Sequence, residues 1–330
     1  MPLLTISIPT YKRLPLLKTL LENLLPEAQD LGVVVKVNDN CSQDGTAEYL
    51  AAMADKFPCL IFSINLKTVP LDENMFLVMN SIETQYIYPL GDDDFLPKGA
   101  LVAIINELVA NEPDILVLSG ILTDHKLNPK KNLLTDELMG SVYNDPRSAF
   151  HSLWDKMPFG SFVMHRDFID DVAFRKYFNT CHAYTGIVWD GLCSNFLSGK
   201  NVAVRCMDNP SVLLRGGEKS WKNYKARIYL HDIPRWLSLL PSIYSRDVEV
   251  IMSEHLSKYG SLLSLLAFRR SGQLSNETCL LHMSHFSEKI RRKAIVVSHM
   301  PPFLAYIFRI FVKIYNVVSN ELSASRRWRC

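Results

Sequence analysis

The sequence predicts an α/β protein: a doubly wound, mostly parallel sheet followed by a helical C-terminal extension. Three observations carry this reading. Short apolar runs alternate with segments of helical spacing through residues 3–118, the pattern that builds a parallel sheet with helices packed on its faces. Polar clusters follow the strands at Thr10, Asp39 and the triplet Asp92, Asp93 and Asp94, where open α/β sheets bind ligands. Beyond about residue 224 the strand pattern stops and helical spacing takes over.

Taken in order, residues 3–8 read as a buried strand, broken by Pro9-Thr10-Tyr11-Lys12-Arg13, and residues 14–25 carry the apolar spacing of a helix. Residues 33–37, four valines and a lysine, are a second strand. It ends in the polar turn 38–46, after which 47–56 resumes helical character. A third strand is expected at 60–65, a helix at 74–81, a fourth strand at 86–90 leading into the triplet, a helix at 99–110 and a fifth strand at 115–118. From 119 to 215 the pattern is less regular, with loops expected at 127–135 and 144–147 and an aromatic-rich stretch at 150–189, suited to an acceptor-recognising wall. The expected division is a sheet domain over 1–220 and a helical region over 221–330.

With 330 residues, 48% of them apolar, the chain can bury a substantial core. A formal net charge of +2 gives no general reason to expect nucleic acid as a partner. Cys41, Cys59, Cys181, Cys193, Cys206, Cys279 and Cys330 form no CxxC pair and no zinc-ligand spacing, and their number is odd, which favours a reduced, cytoplasmic protein. The N-terminal apolar run is too short for a signal peptide and no basic segment precedes it. Neither a Gly-x-Gly-x-x-Gly fingerprint nor a P-loop lysine is present, so a Rossmann dinucleotide site and a phosphate-cradling NTPase are not supported.

Three adjacent carboxylates at the end of a strand repel one another unless the chain converges them on a cation or spreads them into water. Their all-oxygen donor set suits Mg²⁺ or Mn²⁺ better than zinc; the alternative is a solvated turn or a helix N-terminus, where Asp also caps well. Asp44 is open to a similar choice between binding a ligand and closing an Asp-Gly turn. Tyr11 either stacks on a ligand or covers the sheet edge.

Ser7-Ile8-Pro9-Thr10-Tyr11-Lys12-Arg13, then Asn38-Asp39-Asn40-Cys41-Ser42-Gln43-Asp44-Gly45-Thr46, then Gly91-Asp92-Asp93-Asp94, in this order and spacing, resemble the signature of family 2 inverting glycosyltransferases of the GT-A fold. The flavour is similar to bacterial O-antigen and capsule enzymes of the abequosyltransferase type. The resemblance is strong over the first 120 residues or so and weaker to the segment 215–221. It implies that Pro9, Thr10, Tyr11 and Arg13 border the nucleotide, that Asp39 accepts a hydrogen bond from the base, and that the triplet holds Mg²⁺ or Mn²⁺ against the diphosphate. Many relatives carry an acid where this chain has Gly91, so the register is open; Asp93 is the expected direct ligand, with Asp94 as a second and Asp92 supporting through the ribose, a water or another bond.

An inverting transfer needs a base opposite the leaving nucleoside diphosphate and positive charge on that leaving group. The resemblance places the base in the segment 184–191, with Asp190 as the candidate and His182 as the runner-up. A helix cap explains Asp190 equally without catalysis, and Trp189 either stacks on a sugar or fills core. Arg215 and Lys219, in a glycine-containing segment, either close over the diphosphate or lie on a surface loop. The implied function is transfer of a sugar from a nucleoside-diphosphate sugar to a glycan or polyprenyl-diphosphate-linked acceptor of an O-antigen, capsule or lipooligosaccharide. The alternative is an inactive nucleotide-sugar-binding scaffold subunit. Uridine, cytidine, guanosine and thymidine donors all stay open.

Residues 303–318 are strongly apolar, with Arg309, Lys313 and Asn316 spaced as one narrow polar stripe. The run falls short of the ~20 apolar residues of a spanning helix, so it is expected to lie in an interface. Arg291, Arg292 and Lys293 upstream and Arg326, Arg327 and Arg329 downstream would add attraction to an anionic membrane surface. That places the protein peripherally on the inner face of the cytoplasmic membrane; a helix buried against the catalytic domain is the alternative.

Overall fold

The computed structural model describes residues 2–80, 82–216 and 223–312. The chain divides into two compact units, one of residues 1–218 with 239–245 and one of 219–238 with 246–330.

The first unit is built on a nine-stranded sheet. In chain order its elements are β1 (Leu4–Thr10), α1 (Leu14–Asp30), β2 (Val34–Asp39), α2 (Thr46–Ala54), β3 (Leu60–Ile64), α3 (Leu71–Met79), β4 (Tyr86–Pro89), α4 (Ala100–Asn111), β5 (Ile115–Thr123), β6 (Pro129–Asn132), β7 (Val142–Tyr143), α5 (Pro146–Leu153), β8 (Phe162–His165), α6 (Asp171–Lys176), α7 (Ala183–Leu197) and β9 (Val204–Leu214). The strand order is β3-β2-β1-β4-β8-β5-β9-β7, with β6 paired to β5. β1 is parallel to both β2 and β4, β2 to β3, and β5 to β9. β8 lies antiparallel between β4 and β5, and β6 and β7 are antiparallel at the far side. Among the described residues this leaves six of nine strands running one way, the GT-A arrangement.

Every residue of β1 is buried and β4 is buried along its length, as strands covered on both faces must be. α1 packs Leu17, Leu20, Leu21, Leu24, Leu25 and Ala28 onto the sheet; fully burying one such leucine is worth about 1.5–3 kcal/mol. The expected end of this helix at residue 25 is five residues early, because the chain stays helical through Pro26. Proline removes one backbone donor there, while Leu24, Leu25 and Ala28 around it stay buried. α3 begins three residues before the expected start, with Pro70 leading in and Asp72 and Glu73 in its first turn, where acidic side chains suit the helix dipole.

The second unit runs α8 (Lys225–Arg227) through a π-turn into α9 (Ile233–Leu239), then α10 (Ser245–Tyr259), α11 (Leu262–Arg270), α12 (Asn276–His282) and α13 (Glu288–Ser298), and residues 302–312 are helical. Its core gathers Leu230, Leu265, Leu266, Leu274, Met283, Ala294, Val297 and Ala305. No helix among the described residues is long and apolar enough to cross a membrane. Lys313, Asn316 and the basic residues 326–329 of the expected interfacial segment lie outside the described residues, as does Lys219.

Candidate active site

Parallel pairing sets the first side chains of the site. Thr10 stands opposite Asp39 in the β1–β2 register, and the Asn40 N–H donates to the Thr10 carbonyl at 2.9 Å, so the two strands end together. β4, on the other side of β1, delivers the triplet to the same edge. The Thr10 hydroxyl donates to Asp92 Oδ2 at 2.8 Å. Arg13, just before α1, spans two carboxylates, Nη1 to Asp92 Oδ1 and Nη2 to Asp93 Oδ2, both at 2.6 Å. Burial pushes the Asp92 carboxyl up to about 7, against the pull of Arg13; Asp93 adds to the rise and the Thr10 hydrogen bond opposes it. Burial alone would lower the Arg13 value, but Asp92 and Asp93 outweigh it and raise it.

Asp94 does a different job. Its Oδ1 accepts the Arg215 backbone N–H at 3.0 Å, and its Oδ2 lies where a Cβ on Gly160 or Gly91 would come within 2.5 or 2.6 Å. The side chain folds back over both glycines, which gives a steric reason for Gly91 at the head of the triplet. Arg215, at the end of β9, donates through Nε to the Asp93 carbonyl and through Nη1 to the His125 carbonyl, each at 2.7 Å. Its guanidinium thus braces the triplet loop from behind.

Around Asp39 the loop is held from within. The Asp39 carboxylate accepts the Ser42 N–H at 3.1 and 3.3 Å, and the Lys12 N–H donates to Ser42 Oγ at 2.7 Å. Lys12 and Cys41 take positive φ values of 52° and 61°, sparsely populated conformations that cluster at functional sites. Tyr11 is half exposed beside them, and Pro9 is buried within β1. Asn38, Asn40, Asn65 and Asn74 form a side-chain network: Asn38 Nδ2 donates to Asn65 Oδ1 at 3.1 Å and Asn74 Oδ1 at 2.6 Å, and Asn65 Nδ2 to Asn40 Oδ1 and Asn74 Oδ1 at 2.9 Å. This network has no signature in the sequence, since asparagines scattered along residues 38–74 carry no spacing signal.

The ends of β1, β2 and β4 thus gather Thr10, Asp39, a pair of carboxylates and the Arg13 cation between them on one edge of the sheet. The family model for glycosyl transferase family 2 matches residues 5–172. The chain belongs to that family. Among solved structures it is similar to S. aureus TarS 1-349 in complex with UDP, at 12% identity and TM-score 0.56, covering 93% of this chain and 91% of that one. The UDP-GlcNAc complex of the same protein matches at 13% identity and TM-score 0.55, covering 96% and 92%. At this identity the likeness shows the fold. No curated protein matches the chain significantly. The chain is therefore a glycosyltransferase that draws on a nucleotide sugar.

In this glycosyltransferase no cluster of three or more acidic, histidine or cysteine side chains gathers on one point among the described residues. What the triplet does offer is Asp92 and Asp93 aimed at a single positive charge, that of Arg13. Mg²⁺ usually takes only one or two carboxylates from protein and completes its shell with phosphate and water, so this pair fits a divalent cation. Of the expected pair Asp93 and Asp94, Asp94 has its Oδ1 turned onto the Arg215 N–H, and it is Asp92 that shares Arg13 with Asp93.

Asp190, the expected base, lies in the third turn of α7. Both its oxygens accept from Lys176 Nζ, at 2.9 and 3.0 Å, and Oδ1 also accepts from the Tyr177 hydroxyl at 2.9 Å. Burial and the Asp190 charge push Tyr177 far above the usual tyrosine range, which keeps its hydroxyl a donor. Eight residues of helix put Asp190 about 12 Å along the axis from His182, away from the carboxyl edge of the sheet. Its hydrogen bonds to Lys176 and Tyr177 make the residue expected as base an anchor between α6 and α7. Trp189 is fully buried against Phe150 and Tyr244 and fills core.

Proposed function

We propose that this glycosyltransferase moves a sugar, with inversion, from a nucleoside-diphosphate sugar to a lipid-linked or cell-surface polysaccharide acceptor at the inner face of the cytoplasmic membrane. The convergence of Asp92 and Asp93 on the Arg13 guanidinium, beside Thr10, carries the reading. A diphosphate needs concentrated positive charge as it leaves, and Arg13 already sits between the acids that would hold Mg²⁺ or Mn²⁺. When bound, that cation supplies Lewis-acid stabilisation of the leaving phosphates. Arg13 then pairs with phosphate oxygens, Asp39 accepts from the base, and the loop of Tyr11 and Lys12 borders the nucleoside. Arg215 keeps the triplet in place, and Lys219 follows it in sequence.

The membrane part of the reading is supported by the helix of residues 302–312. Ala305 and Val312 face the helical unit's own core, whereas Phe303 (64% exposed), Tyr306, Ile307, Ile310 and Phe311 (65%) line the opposite side. An apolar exposed face that follows Arg291, Arg292 and Lys293 in sequence suits the headgroup boundary of an anionic bilayer.

Thermal-shift binding of UDP, CDP, GDP and dTDP, each with and without Mn²⁺, tests the site. One nucleotide that raises the melting temperature of wild type with metal, and not of Asp93→Ala, is the expected result. Stabilisation by none of them in folded protein would refute it. For the membrane part, co-sedimentation with phosphatidylglycerol vesicles is expected for wild type and lost in Phe303→Ser/Phe311→Ser; equal partition of the two proteins would remove the interfacial role.

A further inference from the structure

We propose that His182 is the base of the transfer and that Asp72 is the residue that positions it. The proposal rests on the nucleotide-sugar reading above and adds the acceptor side of the site.

Topology brings the two residues to the correct edge. α7 leads into β9, which is parallel to β5, so the N-terminus of α7 lies at the carboxyl edge of the sheet, where Thr10 and the triplet end. α3 leads into β4, and its first turn, with Asp72, lies at the same edge for the same reason. A series of contacts links His182 to the triplet. Asp94 Oδ2 lies against Gly160; the neighbouring Phe159 ring meets Tyr184 at 5.1 Å, and Tyr184 stacks on His182 at 6.2 Å.

His182 is held by a turn of unusual backbone. Asn179 and Cys181 both have positive φ, 64° and 58°, and neither is glycine. Such conformations persist only where their surroundings enforce them. Asp72 is the enforcing group. Almost fully buried, it accepts the N–H groups of Thr180 at 3.1 Å, Cys181 at 3.0 Å and Ala183 at 3.4 Å. Those bonds surround His182 on both sides in sequence without touching its ring.

Thr180 sets the ring itself. The His182 N–H donates to Thr180 Oγ1 at 3.2 Å, and His182 Nδ1 lies 2.9 Å from the Thr180 carbonyl. A carbonyl only accepts, so Nδ1 carries the proton and the basic lone pair is on Nε2. A backbone carbonyl on Nδ1 is a common means of fixing which imidazole nitrogen works as base. In the reaction Nε2 takes the acceptor hydroxyl proton while that oxygen bonds to the anomeric carbon. The bond from this carbon to the β-phosphate oxygen breaks, its electron pair leaves with the nucleoside diphosphate, and the proton passes from His182 to water.

The test uses the full chain, the nucleotide identified by thermal shift, and release of nucleoside diphosphate from the matching nucleotide sugar with water as acceptor. His182→Ala and His182→Gln are expected to bind the nucleotide within about two-fold of wild type and to lower kcat by about 100-fold or more, the usual contribution of a positioned base. Asp72→Ala is expected to lower kcat by about ten-fold or more with the donor KM unchanged, and Asp72→Asn, which keeps one acceptor oxygen, to recover part of it. Long-range ¹⁵N NMR of histidine rings supplies a readout that folding alone does not move: the signal missing in His182→Gln should show an Nδ1-protonated ring in wild type and a tautomer mixture in Asp72→Ala. Undiminished kcat in His182→Ala with nucleotide still bound overturns the base assignment alone. Undiminished kcat in Asp72→Ala, or an unchanged tautomer, overturns the positioning role. Failure of wild type to bind any nucleotide overturns the underlying reading and the assignment with it.

Discussion

Arg13 and Asp92 are joined at 2.6 Å, and the same guanidinium reaches Asp93 with its other terminal nitrogen at the same distance. Arg13 therefore stands between the two carboxylates proposed to share a divalent cation. Removing one partner of a buried ion pair is far costlier than its surface equivalent, on the order of 3–5 kcal/mol, and this partly open pair is expected to lose about 2–3 kcal/mol. Arg13→Gln leaves Asp92 and Asp93 to repel each other, so urea unfolding should show that loss in the absence of metal. Millimolar Mg²⁺ or Mn²⁺ should restore most of it, whereas wild type without nucleotide should gain little from either ion. A variant as stable as wild type in chelator would remove this account of the pair.

The fold of Asp94 over Gly91 and Gly160 gives a second expectation. At Gly160 the φ of +91° disfavours any side chain, and a Cβ would stand 2.5 Å from Asp94 Oδ2 and 2.9 Å from Leu214 Cδ2. Both effects act in Gly160→Ala, which should lose about 2–4 kcal/mol, from a positive-φ cost of about 1 kcal/mol and overpacking of about 1–3 kcal/mol. At Gly91 only the close approach acts. Gly91→Ala should lose less, yet it displaces the carboxylate that receives Arg215, so nucleotide affinity should fall more than stability. Equal stabilities of the two variants by denaturant unfolding would show that the backbone conformation at Gly160 matters less than argued.

Much of the first unit is legible because each strand from β1 to β5 is a short apolar run with a polar stop, and because Thr10, Arg13, Asp92 and Asp93 all lie next to those stops. β9 was not legible. Its middle, Arg205 to Asn209, interrupts the apolar pattern, and the strand is held by β5 through a pairing that shifts register twice. Asp72 escaped for another reason. An acid in a helix's first turn looks like an ordinary response to the helix dipole, and its real partners lie 108 to 111 residues away. Asp190 shows the converse, a carboxylate whose local string suggested chemistry but whose helical face was set by Lys176 and Tyr177.

That placement of Asp190 makes a prediction opposite to catalysis. Asp190→Ala frees Lys176 and removes the shortest partner of the Tyr177 hydroxyl, leaving the Leu239 carbonyl at 3.3 Å. The loss should be about 1–3 kcal/mol, the usual penalty for stripping a buried polar group of its partner. kcat for nucleoside diphosphate release should stay within about three-fold of wild type below the melting transition, since a base contributes at least about 100-fold. A hundred-fold drop in kcat at unchanged stability would return the base to Asp190.

Acid should act on the two units in opposite directions. In the helical unit, His282 and His285 are both lowered, chiefly by burial and further by the charge of His231. The unfolded chain then binds more protons than the folded one below about pH 6.5, the ordinary histidine value, and stability falls as pH drops through that range. In the sheet unit burial raises the carboxyls of Asp92, to about 7, and of Asp72 and Asp114. There the folded state binds more protons between the unfolded value of about 4 and those raised values, so stability rises as pH drops from 7 toward 5. The indole N–H signals of Trp236 in the helical unit and Trp189 in the sheet unit allow both to be followed in one thermal NMR series. Between pH 7 and pH 5 the Trp236 signal should be lost at progressively lower temperature and the Trp189 signal at the same or a higher one. His282→Gln should flatten the first trend and leave the second untouched. Parallel shifts of the two signals would mean that the buried histidines do not govern the acid response of the helical unit.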